Sequence, residues 1–365
     1  MSLRFHWMLP KGGEVAIDAP QTPIEAARYR ILSTSPASPA PRPDLKGWAH
    51  FARHAEEAGI DSVLISFSRY EPDPLLVSCA LGSATSRLKF IVAFRSGLML
   101  PTSFVQQINT LSALIDGRVS LNIVAGSSTV EQQGYGDFLE HDERYARAEE
   151  FLAVCHSFWG AEAAVDFDGK YYRVEQGKLH TPFLAPDRRA PEIYISGHSE
   201  KSEQLAFSQG SCWLRVIDTP EKLTPVVARI RARGLGVCLR LGLICRPSRD
   251  EAVATAEALL PDDRGENTTT LKDDSQMYRE GKTVASDECW LNRSLWAGLV
   301  PHYGPVWTTL LGTPKELADA FLAYKQIGVT EFIISGWPEL DEVVRFGEEV
   351  LPLVRDGEQG RKISS

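Results

Sequence analysis

The chain has 365 residues, 43% hydrophobic and 24% charged, the balance of a globular protein and not of a fibrous or disordered one. A formal net charge of −9 argues against nucleic acid or an anionic membrane surface as a partner. No apolar run approaches the ~18 residues of a membrane span, and the apolar stretch of MSLRFHWMLPKGG is too short and too polar for a signal peptide, so a cytoplasmic protein is expected.

RFHWMLP (4–10) reads as a first strand. GWAHFARHAEEAG places Trp48, Phe51, Ala52 and Ala55 on one helix face and stops at Gly59. DSVLIS (61–66) is the next strand, PLLVSCALGSAT a helix, and LKFIVAF (88–94) a fully apolar strand. SFVQQINTLSALIDG is a helix with a glycine stop, followed by the strand VSLNIVAG (119–126). From FLEHDERYARAEEF (138–151) onward, Ala148, Phe151, Leu152, Cys155, Phe158 and Trp159 recur at spacings of three and four, with Asp142 and Glu143 at the positive end of the helix. FDGKYYRV (167–174) carries an Asp-Gly turn and reads as a hairpin. PEIYISG (191–197), SCWLRV and GVCLRLGLICR (236–246) are strands, with SEKSEQLAFSQ, PEKLTPVVARIRARG and RDEAVATAEALL as the helices beside them. PKELADAFLAYKQIG, TEFIISG and LDEVVRFGEEVLPLV close the chain as helix, strand and helix.

Strands alternating with helices at this spacing require a parallel sheet. Eight or so such units favour an α/β fold closed as a (β/α)8 TIM barrel over an open doubly wound sheet. No G-x-G-x-x-G or P-loop sequence is present. One domain is expected over 1–365, without internal repeats. Two segments break the alternation: 11–45, rich in Pro, Ala and Ser, reads as a loop insertion, and 261–304, first polar and then aromatic, as an active-site lid. Both fall where βα loops reach the C-terminal face that carries barrel active sites; plain surface insertions are the alternative for each. The six cysteines are scattered, with no C-x-x-C and no His at zinc spacing, so core thiols and no metal site are expected.

Three strand ends finish in small residues and hydroxyls: VAFRSGLMLPTSF, NIVAGSSTVEQQGYG and YISGHSEKSEQLA. In the last, S-G-H-S runs straight into a helix, so the backbone N–H groups of 197–200 and two serine hydroxyls can cradle a phosphate. A Gly-Ser turn alone is a weak signal. At the start of the helix near 141, His141 and Tyr145 are not needed for capping, and both can donate hydrogen bonds to an anion; an ordinary helix start with a buried tyrosine is the alternative.

Several stretches resemble, in order, the bacterial luciferase-like flavin-dependent monooxygenases, and among them the alkanesulfonate monooxygenase branch most closely. They are RLKFIVAFRSGLMLPT (87–102), DGRVSLNIVAGSS (116–128), FLEHDERYARAEEF (138–151), VDFDGKYYRV (165–174), PEIYISGHS (191–199), SLWAG (294–298) and FIISGWPELDEVVRFGEEVLPLV. Together they span most of residues 3–354. The resemblance implies a TIM barrel that takes reduced FMN (FMNH2) from a separate NAD(P)H:flavin reductase. It also implies activation of O2 as a flavin C4a-(hydro)peroxide that oxidises a small-molecule substrate. Carried over by position, His141, Tyr145, Ser196, Gly197, His198 and Ser199 would surround the FMN phosphate. Ala93, Arg95, Val124, Ala125, Gly126 and Ser127 would lie along the isoalloxazine and ribityl chain. A homodimer or homotetramer is expected by analogy.

The substrate side departs from that branch. Where the sulfonate oxidisers carry a Cys in an R-S-C-E-D-type stretch, this chain has SRYEPDPLL, with Glu71 at the Cys position. Their R-L-H is here Arg240, Leu241, Gly242, so the proposed catalytic His is absent while the Arg remains. Their S-G-Y-P-H is Ser335, Gly336, Trp337, Pro338, Glu339, and a lid Arg that resembles a sulfonate clamp falls near His302 or Tyr303. The candidate catalytic residues are therefore Arg240, His302, Tyr303, Trp337 and Glu71. Arg240 would stabilise an oxygen adduct or a substrate anion, and His302 or Tyr303 would donate a proton. Two of them have plain alternatives: Trp337 packing the barrel mouth, and Glu71 capping the helix opened by Pro72 and Asp73. Trading cationic groups for aromatic and acidic ones disfavours an alkanesulfonate and favours a neutral or cationic substrate with an apolar or aromatic portion. Hydroxylation, Baeyer–Villiger insertion and N-oxygenation stay open. The alternatives to a two-component monooxygenase are an F420-dependent dehydrogenase on the same fold and a non-catalytic flavin-binding relative.

Overall fold

The computed structural model describes residues 2–10, 44–69, 71–126, 129–260 and 289–360. Segments 11–43 and 261–288 of the two expected insertions lie outside the described residues, as does Ser127. The strands are β1 (Arg4–Met8), β2 (Ser62–Ile65), β3 (Lys89–Phe94), β4 (Val119–Ile123), β5 (Val165–Asp168), β6 (Arg173–Gly177) and β7 (Ile193–Ser196). They continue as β8 (Cys212–Val216), β9 (Gly236–Cys245), β10 (Leu295–Trp296), β11 (Thr309–Gly312) and β12 (Glu331–Gly336). β5 and β6 form the expected hairpin, with Phe167 opposite Val174. Eight strands, β1, β2, β3, β4, β7, β8, β9 and β12, pair in parallel in that order, and β12 returns to β1 with Arg4 opposite Glu331. The barrel is closed. The fold is the expected TIM barrel.

The helices are α1 (Leu45–Glu57), α2 (Pro74–Gly82), α3 (Pro101–Leu114), α4 (Thr129–Gly134), α5 (His141–Gly160), α6 (Glu200–Gln209) and α7 (Pro220–Arg231). After them come α8 (Arg249–Ala258), α9 (Val300–Tyr303), α10 (Pro314–Gln326), α11 (Glu339–Arg345) and α12 (Leu351–Glu358). β3 reads as an unbroken apolar run because its central residues are buried on both faces, against helices outside and the barrel interior within. Leu64, Ile91, Ala93, Tyr194, Leu214, Cys238 and Ile333 form the interior cluster. Side chains alternate along a strand, so the inward positions next toward the C-terminal end are Ser196, Arg240 and Ser335, with Asn122 in register beside Tyr194. Beyond β9, a satellite cluster joins Ile244, Ala252, Ala256, Trp296, Leu299 and Trp337, with Trp307 packed on it.

Two local expectations are corrected. The strand expected over 119–126 ends at Ile123, because the chain leaves the ladder and turns at Gly126 (φ 89°) toward the short helix α4. Glu71 is not the cap of α2: the helix starts at Pro74, and Asp73 Oδ1 accepts from the N–H groups of Leu75 and Leu76, each at 3.0 Å. The thiols of Cys155, Cys212, Cys238 and Cys245 are buried and those of Cys79 and Cys289 exposed, all free. No helix among the described residues is long and apolar enough to cross a membrane.

Candidate active site

At the end of β7 the chain turns through Gly197 into α6, whose N-cap Ser199 accepts from the Ser202 N–H at 3.2 Å. Gly197 has φ 150°, and a Cβ there would lie 2.6 Å from the Ser202 Cβ and 3.0 Å from the Tyr145 hydroxyl. The glycine keeps open a cradle made of a helix N-terminus, two serine hydroxyls and a tyrosine. Tyr145 reaches it from the second turn of α5; burial raises its pKa, so the hydroxyl stays protonated and able to donate. His141 stands at the exposed rim, its ring 5.0 Å from that of Tyr145 and its Nδ1 2.8 Å from Asp142 Oδ1. Two of the expected phosphate residues face elsewhere. His198 Nε2 accepts the Val216 N–H at 3.0 Å and its Nδ1 lies 3.3 Å from Arg215, so the ring is braced against β8. Ser196 points into the barrel and donates to Asn122 Oδ1 at 2.6 Å.

Ala93, the last inward residue of β3, lies in the interior cluster, and Arg95 follows it at the mouth. The buried guanidinium of Arg95 sits between the rings of Phe67 (5.1 Å) and Tyr135 (5.9 Å). Its Nη2 donates to Glu131 at 2.8 Å, while Nε and Nη1 have no partner among the described residues. Its charge is thus neutralised and two donor nitrogens are left over. Val124 and Ala125 are half-buried, and the Ala125 carbonyl accepts from Arg144 Nε at 3.0 Å and Gln132 Nε2 at 3.3 Å. The Gln132 amide packs directly on Gly126. α4 therefore clamps the ends of β3 and β4 through Glu131 and Gln132.

On the opposite wall, Arg240 Nη2 donates to Ser335 Oγ at 2.7 Å and Nη1 to the Leu241 carbonyl at 2.7 Å. Burial lowers its pKa to about 10, with Glu339 acting against that shift, so it remains a cation at neutral pH. Trp337 is placed differently from a substrate-facing residue. It is 1% exposed, stacked on Trp307 at 4.6 Å and 28°, and belongs to the satellite cluster. A Cβ at position 242 would come within 2.7 Å of Trp337 Cη2 and 2.6 Å of Thr309 Oγ1. The tryptophan fills the space a side chain at 242 would need. Of the remaining candidates, Glu71 follows β2, and His302 is half-buried on α9, which Tyr303 ends.

A family model described as luciferase-like monooxygenase matches residues 3–331. The chain belongs to that family. It is an enzyme of the flavin-dependent monooxygenase kind. Among solved structures, a riboflavin lyase with modified FMN and its substrate riboflavin is 20% identical, with TM-score 0.75 over 100% of this chain and 93% of that one. The EDTA monooxygenase of Chelativorans sp. BNC1 is 20% identical, with TM-score 0.76 over 98% and 94% of the two chains. An F420-dependent secondary alcohol dehydrogenase, in complex with an F420–acetone adduct, is 18% identical, with TM-score 0.66 over 98% and 100%. At such identities the likeness shows the shared fold.

Several residues of this luciferase-like monooxygenase's site escaped sequence reasoning. Ser202 sits three residues after an N-cap serine, a spacing that signals the cap and not a second hydroxyl in the cradle. Asn122 and Ser335 are polar residues at inward positions of strands buried along their whole length, and that mismatch is the signal that could have found them. Glu131, Gln132 and Arg144 act on strand ends distant in sequence, which no spacing reveals.

Proposed function

We propose that this luciferase-like monooxygenase is the oxygenase of a two-component system that takes reduced FMN from a separate NAD(P)H:flavin reductase and uses O2 to oxidise a small organic molecule. The cradle at Gly197 carries this reading. Its donors are the Tyr145 and Ser199 hydroxyls and a helix N-terminus, which suit a phosphate monoester, and the space is one that a Cβ would fill. Arg95 would serve the flavin along the β3–β4 wall, where its Nε and Nη1 offer donors without added charge. When bound, reduced FMN supplies two electrons, so that one atom of O2 enters the substrate and the other leaves as water. The chain's part is to hold the phosphate at Tyr145 and Ser199, to exclude water with the apolar interior, and to present Arg240 and Ser335 from the opposite wall.

The geometry bears on the substrate. Nη1 and Nη2 of Arg240 each already donate a hydrogen bond, to Leu241 and Ser335, so a sulfonate would have to share a guanidinium fork that the protein itself partly occupies. An alkanesulfonate is therefore not the proposed substrate. An aromatic portion would meet Trp307, which covers Trp337. The test mixes purified protein and photoreduced FMN with air-saturated buffer. Slowed flavin reoxidation, with a transient absorbance band distinct from both reduced and oxidised FMN, is expected. Reoxidation as fast as that of free FMN would overturn the reading.

A further inference from the structure

Ser335 is the last inward residue of β12. Glu331 and Ile333, earlier on the same face, both point into the barrel, and the serine is 3% exposed. Its partner in register on β9 is Gly242, which brings no side chain of its own; the ring of Trp337 and the Thr309 hydroxyl occupy that space. Arg240 Nη2 donates to Ser335 Oγ at 2.7 Å. A guanidinium has five donors and no acceptor. The serine's own hydrogen must therefore be donated elsewhere, and no group among the described residues accepts it. A buried hydroxyl is thus fixed as a donor by its neighbour and left without an acceptor at the barrel mouth.

The topology says what it faces. Around the eight strands, β12 is four strands from β4 in either direction, so Ser335 stands across the mouth from Asn122, with Ala93 on β3 alongside it. A flavin held by the Gly197 cradle and the β3–β4 wall leaves the β9–β12 wall opposite its reacting face. We propose that Ser335 is a catalytic residue: with its oxygen held by Arg240, its O–H donates a hydrogen bond to the oxygen that reacts at the bound flavin. No bond to the serine forms or breaks, and its proton stays on Oγ. Arg240, half-buried with Glu339 as counter-charge, strengthens the donor by polarising the hydroxyl.

This inference rests on the flavin reading above, and one experiment separates the two. Wild type, Ser335→Ala and Ser335→Thr are titrated with FMN by fluorescence, then mixed with photoreduced FMN and air-saturated buffer across a pH series. FMN affinity is expected to stay within about twofold in all three, since the phosphate site is distant in the fold. The transient band should decay about tenfold faster in Ser335→Ala, as for a lost hydrogen bond to a charged group, with an altered pH profile. Ser335→Thr, which keeps the hydroxyl, should restore the lifetime. A wild-type lifetime in Ser335→Ala would overturn the proposal, and so would equal impairment in Ser335→Thr, which would mark the serine as packing. A wild type that shows no band at all rejects the flavin reading itself.

Discussion

A Cβ at position 242 and the ring of Trp337 compete for one space at the end of β9, with 2.7 Å between them. Gly242→Ala should therefore cost about 1–3 kcal/mol as an overpacked site, read as a lower urea midpoint with unchanged slope. Trp337→Phe in the same chain should recover part of that loss, since residues in contact do not behave additively. Strictly additive losses would show that the two do not share the space. Each residue drew attention singly in the sequence, as the replacement of a His and of a Tyr. Their contact did not. Alternation tells which face of a strand a residue takes, but it does not show that a ring two residues beyond Ser335 swings back over β9 to lie beneath Trp307. Tyr145 and Ser199 were legible for the opposite reason, because each stands at a helix start whose polarity is local.

Elements were legible where the apolar pattern was long. β3, α5 and β9 fall within a residue or two of their expected limits, since unbroken apolar runs and apolar residues at period 3.6 survive any tertiary setting. α4, of six residues, was missed because it is too short to show a period, yet it clamps β3 and β4 through Glu131 and Gln132. The cap of α2 was open for a related reason: SRYEPDPLL offers two acids and two prolines, and only backbone geometry selects Asp73 over Glu71 as the cap. Asp73→Ala should lower stability by about 1 kcal/mol in urea unfolding, the usual worth of an N-cap carboxylate. Glu71→Ala should not reproduce that loss through the cap. If the two variants were equally destabilised, the assignment of the cap to Asp73 alone would fail.

At the scale of the whole molecule, closure depends on the seam between the first and last barrel strands, and the seam is polar. Glu331 accepts from His6 Nε2 at 2.9 Å and from the Tyr194 hydroxyl at 2.6 Å, and it pairs with Arg4, which also holds Glu192 at 2.8 Å. Burial alone would raise the Glu331 pKa; the His6 hydrogen bond, the nearby charges and Tyr194 overcome it and hold the group at about 2. A folded value below the ordinary 4.5 means that the ionised form adds stability, complete above about 4.5 and lost as pH falls toward about 2. That span is worth about 3 kcal/mol. Glu342 works in the other direction. Buried beside Arg246, with Nη1 at 2.7 Å, it is raised by burial to about 7, so the stability tied to its neutral form is complete below 4.5 and lost as pH rises toward 7. Urea midpoints across this range should therefore fall on both sides, through different groups. Glu331→Gln should be less stable overall, because Arg4 loses a charged partner, and its acid limb below pH 4.5 should flatten while the decline toward pH 7 persists. Glu342→Gln should do the reverse, removing the decline between 4.5 and 7 and keeping the acid limb. An acid limb of wild-type depth in Glu331→Gln would show that the seam does not store the pH dependence of the closed barrel.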